Sequence, residues 1–192
     1  MHARFGSVLT PELAAQIEFD AHDRAERAID PALFLPRAYR NLVFRVESFR
    51  AVLAELEPVH AAHFEETEKH LAGFELKPDY GYMAERERMG TLVQFTARDG
   101  EKLVGNLRMY LAKSLHTGNL VAEEDTFYLL PDYRKGFSAM SFLRYAEEML
   151  VQVLGVEEIR ANTKIVNAAS KLMDYRGYRH VANQYVKTFK KD

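Results

Sequence analysis

The stretch Phe127-Tyr128-Leu129-Leu130-Pro131-Asp132-Tyr133-Arg134-Lys135-Gly136-Phe137-Ser138-Ala139 reads as an apolar strand running into a basic, glycine-containing turn. A helix follows at once: from Ser141 to Leu154, Phe142, Leu143, Ala146, Met149, Leu150 and Val153 recur at helical spacing, with Arg144, Glu147, Glu148 and Gln152 opposite. The turn therefore sits at a helix N-terminus, where backbone N–H groups lack intrahelical acceptors. Arg134 and Lys135 add positive charge beside those donors, and the ligand such a site takes is a phosphate or pyrophosphate. Neither G-x-x-x-x-G-K-[ST] nor a G-x-G-x-x-G following a strand occurs, which leaves a nucleoside-triphosphatase or a dinucleotide enzyme with little support. An ordinary βα unit with solvated Arg134 and Lys135 produces the same pattern, so the surrounding elements must decide.

Those elements can be read along the chain. Residues 10 to 29 suit a helix, with Thr10 as cap and Pro11 at the first helical position, and Asp30-Pro31 breaks it. Leu42 to Glu47 reads as a first strand, and Ser48 caps a helix that turns Val52, Leu53, Leu56, Val59 and Phe64 inward, with Pro58 expected to kink or split it. A second helix around Tyr80 to Met89 precedes a strand from Leu92 to Ala97, an Asp99-Gly100 turn and a strand from Leu103 to Lys113. The turn Thr117-Gly118-Asn119 then leads into Leu120 to Leu130, antiparallel to the strand before it. After the βα unit come a strand from Val156 to Ile165, a short helix from Asn167 to Arg176 and a last strand from Val181 to Phe189. A helical pair, an antiparallel meander and then a βα unit give a mixed α/β fold of the α+β type, not a doubly wound parallel sheet.

Length and composition bound the function. The 192 residues suffice for one well-buried core, and 47% apolar with 28% charged residues is ordinary for a globular protein. A net charge of -2 gives no strong nucleic-acid footprint. There is no cysteine, which excludes disulfides, thiolate metal sites and a cysteine nucleophile, and suits a reducing cytoplasm. No apolar run is long enough to span a membrane, and Met1-His2-Ala3-Arg4 is not followed by a signal-peptide core. His60, His63 and His70 with Glu66 imitate a metal face, but neither H-E-x-x-H nor cysteine accompanies them, so a polar helix face is the better reading and no metal is expected.

The strand ending in Pro131-Asp132-Tyr133-Arg134 and its short loop resemble the acetyl-CoA-binding signature of the GNAT N-acetyltransferase superfamily. Asn167 opening a helix that ends at Gly177-Tyr178 resembles the family's segment before its last strands. The resemblance covers roughly residues 42 to 190 and fits best the GNAT proteins encoded in phages and prophages. It implies a GNAT-like domain over 42–192, with a mainly antiparallel central sheet flanked by helices, behind an N-terminal helical extension over 1–41. That extension packs on the core, contacts a second subunit in a homodimer, or forms part of the acceptor pocket. The family's loop is Arg-x-x-Gly-x-(Gly/Ala); here Gly136 comes one place early, Phe137 takes the place of the first glycine and Ala139 matches the second small position. The resemblance also implies that the strands holding Phe127 to Leu130 and Val156 to Ile165 splay apart to admit the pantetheine arm. Arg134 and the N–H groups from Lys135 through Gly136, Phe137 and Ser138 to Ala139 would then hold the pyrophosphate, with Asn167 against the pantetheine.

An amine that attacks a thioester must be neutral, and for a lysine-like amine deprotonation at pH 7 costs roughly 3.4 pK units, about 4.6 kcal/mol. Glu123, Glu124 and Asp125 lie where the chain enters the cofactor strand and can take that proton. Simple alternation puts Glu124 on one face with Thr126 and Tyr128, and Glu123 and Asp125 on the other with Phe127 and Leu129. The glutamate base of GNAT histone acetyltransferases corresponds to Glu124, with Asp125 second. His116, in the turn before this acidic run, has a pKa suited to shuttling protons. Where many GNAT enzymes keep a tyrosine to protonate the leaving thiolate, this chain has Met173 or Asp174, and Tyr175 is the nearest phenol. Two functions follow: an N-acetyltransferase that moves the acetyl group of its co-substrate acetyl-CoA directly to a primary amine of a protein or small molecule, or a degenerate GNAT-like module that binds CoA or a partner protein.

Overall fold

The computed structural model describes residues 10–15, 17, 28–69, 75–164, 169–187 and 189. Its centre is a six-stranded sheet of β1 (Arg37–Tyr39), β2 (Leu42–Val46), β3 (Leu92–Asp99), β4 (Lys102–Lys113), β5 (Leu120–Leu129) and β6 (Glu158–Arg160), in that spatial order. All neighbours are antiparallel except β5 and β6, which run parallel. This is the mixed α/β, mainly antiparallel architecture that the order of elements implies. Helices α1 (Phe49–Thr67) and α2 (Tyr80–Arg88) cover one face; α3 (Ser138–Leu154) and α4 (Ala169–Tyr175) lie on the other.

Each face has its own apolar core. Phe49, Val52, Leu56 and Val59 of α1 pack on Leu92, Leu103 and Tyr128. On the α3 side, Phe142, Tyr145, Ala146 and Leu150 meet Phe44, Phe95, Leu107 and Met109, with Phe44 stacked on Phe142 at 4.9 Å between ring centroids. Burying rings of this size stabilises the fold, and deleting one costs roughly 3–5 kcal/mol. Ser48 caps α1 as its sequence suggests, accepting from the Ala51 N–H. Pro58 does not split the helix, which continues from Phe49 to Thr67. It loses one i→i−4 bond there, while Leu56 and Val59 on either side stay buried against the sheet.

Three other expectations differ from what forms. Arg37–Tyr39, read with the leading arm, is an edge strand of the sheet, and Phe34 just before it is buried in the core. Strand β6 spans only Glu158–Arg160, not the whole of 156–165. Residues 181–187 have no regular structure, and Val181, Tyr185 and Val186 are exposed, so the last strand is absent among the described residues. Strands are stabilised by pairing with a neighbour, and composition alone does not supply one. Within 10–29, residues 11–15 are helical, while 18–27 lie outside the described residues, as does His70.

Candidate active site

Strand β5 carries an irregularity in its pairing with β4 that reorganises the acidic run. Arg108 faces Thr126 and the next residue, Met109, faces Glu124, so Asp125 is an extra residue bulged out of the ladder. The bulge reverses the alternation expected from sequence. Ala122, Glu124, Phe127 and Leu129 share the α3 side, opposite Leu111, Met109, Leu107 and Gly105, whereas Thr126 and Tyr128 turn toward α1. Glu124 therefore does not share a face with Thr126 and Tyr128. Gly105 belongs to the same tight pairing: a Cβ there would lie 2.4 Å from Leu129 Cδ2 and 2.7 Å from the Tyr128 carbonyl.

Glu124 also stands where β5 parts from β6. The parallel ladder runs from Val121↔Glu158 to Glu123↔Arg160 and then stops, and Glu124 Oε2 accepts the Asn162 N–H at 3.1 Å. Beyond it, Phe127, Tyr128 and Leu129 keep β4 on one side and have no strand partner on the other among the described residues. The half-buried Glu124 is pushed up to about 7, chiefly by burial and partly by the neighbouring Asp125 charge, against the Asn162 hydrogen bond that favours its ionised form. A carboxyl group in that range exchanges protons readily at neutral pH. Asp125 is engaged differently: its Oδ2 takes Arg108 Nε at 2.8 Å and a second guanidinium nitrogen at 2.6 Å.

The turn after β5 is fixed by Arg134. Its Nε donates to the Leu129 carbonyl at 2.7 Å, its two terminal nitrogens bind the two Glu66 oxygens at 2.7 Å each, and its plane lies 4.8 Å from the Tyr128 ring centroid. Three of the guanidinium's five N–H groups are thus used on the Leu129 carbonyl and Glu66. The chain then passes through Gly136 at φ 66 into α3, whose N-cap residue Phe137 is exposed and makes no side-chain capping bond. The first N–H groups of α3, from Ser138 and Ala139 onward, consequently have no side-chain cap, and Lys135 lies exposed beside them. Ser138 is buried, with its hydroxyl on the Lys135 carbonyl at 3.0 Å.

Sequence reasoning missed Arg40. It occupies the β1–β2 turn at φ 56, and its guanidinium reaches the loop: a Cβ on Gly136 would lie 2.9 Å from Arg40 Nη1. The left-handed φ of 66 favours glycine there, and the missing side chain lets the guanidinium lie against the loop. The signal would have been a strand before Leu42, which turns Arg40-Asn41 into a hairpin tip.

Other expected residues are not brought to this place. His116 is exposed in the β4–β5 turn, four residues before β5 begins. With Glu124 a further four residues on, roughly 3.3 Å apart each along the strand, it stands well away. Tyr175 is exposed at the end of α4. Tyr178 is the phenol that turns inward: it is half-buried, its hydroxyl is buried, and burial first, then Glu147 and more weakly Glu124, hold its pKa well above the ordinary value. Asn167 lies outside the described residues. On the α1 face, His60 sits within 3.3 Å of Tyr80 Oη and of Asn106 Nδ2, and burial, helped by Arg108, lowers it to about 4, so it is neutral at pH 7. His63 Nδ1 meets Thr126 Oγ1 at 2.9 Å. Among the described residues no three metal-type side chains converge.

No family model and no curated protein sequence matches the chain. Solved structures do. A ribosomal-protein-alanine N-acetyltransferase from Brucella melitensis biovar Abortus 2308 superposes with a TM-score of 0.60 at 17% identity, over 78% of this chain and 99% of that one. An aminoglycoside acetyltransferase from an uncultured soil metagenomic sample gives 0.57 at 17% identity, over 79% and 95%. A predicted acetyltransferase from Clostridium acetobutylicum, solved with acetyl-CoA, gives 0.58 at 13% identity, over 77% and 96%. The chain has the fold of the GNAT-type acetyltransferases.

Proposed function

We propose that this protein transfers the acetyl group of acetyl-CoA directly to a primary amine. The observation that carries the reading is the continuity of one path: β5 leaves β6 at Glu124, offers along Phe127 to Leu129 an edge unpaired among the described residues, and ends at a helix N-terminus without a side-chain cap, flanked by Arg40 and Lys135. The pantetheine arm suits the edge, and the pyrophosphate suits the N–H groups and cations. In the reaction the amine nitrogen forms a bond to the thioester carbonyl carbon, the C–S bond breaks, and CoA leaves as its thiolate. Glu124 takes the proton released by the amine, and Tyr178, which holds its proton throughout the neutral range, offers it to the thiolate. No covalent enzyme intermediate is required. Incubating the protein with acetyl-CoA and a panel of primary amines, with thiol detection of released CoA, tests this. Amine-dependent release together with the matching N-acetyl product supports it, and acetyl-CoA binding without turnover of any amine argues against it.

A second reading, a CoA-binding or partner-binding module without turnover, draws on two observations. Arg134 is committed to Glu66, and Phe137 stands where the family has glycine. The same assay separates the two.

A further inference from the structure

Beside α2, a cavity of about 240 Å³ opens between that helix, β4, the first half of β5 and β6, with a wall that includes Tyr82, Arg86, Tyr110, Lys113, Glu123 and Arg160. Arg86 belongs to that wall and is held by its neighbours. Its backbone carbonyl accepts the Thr91 N–H at 2.9 Å and the Thr91 hydroxyl at 3.0 Å. Its guanidinium carbon lies 5.1 Å from the Tyr110 ring centroid and 5.9 Å from that of Tyr82, and its Nε is buried with no hydrogen-bond partner among the described residues. Helix α2 is itself anchored, because Glu87 accepts the N–H groups of Phe49 and Arg50 at the start of α1. A guanidinium packed beside two rings, whose terminal nitrogens make no ion pair among the described residues, is a preformed partner for a carboxylate.

The charges decide the class of ligand. Arg86, Lys113 and Arg160 face one carboxylate, Glu123, and Arg160 is already tied to Glu158 at 2.6 Å. Arg86 and Lys113 remain for a ligand, and Lys113 has no ion pair among the described residues. A polycationic amine is repelled by such a wall. The volume is also below the roughly 300–1,000 Å³ of sites for drug-sized molecules. Glu123 pairs with Tyr110 and so faces the α2 side, opposite to Glu124; its pair with Arg160 is the last before β5 parts from β6, which puts the cavity across the sheet from Glu124 at the mouth of that gap.

We propose that this cavity binds the acetyl acceptor, and that the acceptor is a small primary amine of amino-acid size whose other end is a carboxylate. The assignment rests on the acetyl-transfer reading for the word acceptor, and on the cavity alone for the class of ligand. Arg86 takes the carboxylate, and the amine lies toward β5, where Glu123 meets it as an ammonium ion.

The test titrates the full-length protein with free α-, β- and ω-amino acids and with their methyl esters, using spermidine and kanamycin as polycationic controls. Calorimetric binding and the KM for CoA release are both read. At least one amino acid should bind saturably, and its ester, which keeps the amine and loses only the negative charge, should bind about ten- to a hundredfold more weakly. Arg86→Gln should abolish the preference for acid over ester while acetyl-CoA affinity stays as it was, and Arg86→Lys should recover part of it. Equal binding of acid and ester, a preference for spermidine or kanamycin, or no binding by any amino acid up to millimolar concentration overturns the proposal, and none of these outcomes depends on a variant that must fold. Amino-acid binding with the predicted preference but without acetyl-CoA binding upholds the ligand class and removes the acetyl-transfer reading. CoA release with polycationic amines only does the reverse.

Discussion

A carboxylate that accepts a proton from an amine works best when its own pKa lies near the working pH, and burial brings Glu124 there. Glu124→Gln keeps the shape and the Asn162 contact but loses the proton acceptor. Its kcat/KM should fall by roughly 10²- to 10⁴-fold with acetyl-CoA affinity held, and the rising limb near pH 7 in the wild-type rate profile should vanish. Wild-type rates in this variant, with loss in Asp125→Asn instead, would move the role to the Arg108-bound carboxylate. At the other end of β5, Arg40→Ala should weaken acetyl-CoA binding about ten- to a hundredfold, as expected for one charge-assisted hydrogen bond. Calorimetry showing unchanged affinity would mean that Arg40 packs on the loop without touching the ligand. For the leaving thiolate, steady-state rates should drop about tenfold or more in Tyr178→Phe and stay at the wild-type level in Tyr175→Phe. The opposite pattern would return the role to the exposed phenol. Tyr178 was visible in the sequence only as the aromatic after Gly177; which phenol turns inward depends on how α4 docks through the buried Met173.

At the level of elements, β5 shows what pattern reading can and cannot deliver. Its existence, its antiparallel partner and its run into a basic turn all follow from composition and spacing. The bulge at Asp125 does not, because a strict period of two has no term for an extra residue, and one extra residue moves Glu124 to the other face. β1 escaped for a different reason: three residues after Pro36 are too few to show alternation. The layers on the two faces also make opposite demands on pH. Unfolded His60 binds a proton near 6.5 but folded His60 only at about 4, so between these values the unfolded state holds more protons and stability rises with pH. Glu124 is the reverse: folded it keeps its proton to about 7, unfolded it loses it near 4.5, so it lowers stability as pH climbs through that window. The two slopes oppose each other where they overlap. Melting curves of Glu124→Gln across pH 4 to 8 should therefore show a steeper rise than wild type and a higher melting temperature at pH 8. A variant curve parallel to wild type would show that Glu124 is not held protonated by the fold.

For the whole molecule, the sheet and its helices were legible because each long element carries a clear period, and the strand-turn-helix from Phe127 to Ala139 pointed to a phosphate site. The cavity beside α2 was not legible, since Arg86, Lys113 and Glu123 come from three elements and meet only once α2 is folded against β4 and β5. The exposed segment from Val181 was misread for the complementary reason: it has strand composition but no neighbour. The central claim is that the gap beside β5 and the uncapped start of α3 form an acetyl-CoA site. Isothermal titration of the full-length protein with acetyl-CoA tests it most directly. A saturable one-to-one isotherm, accompanied by a melting temperature that climbs with ligand concentration, is the predicted result. No heat of binding and an unchanged melting temperature up to millimolar acetyl-CoA would contradict it.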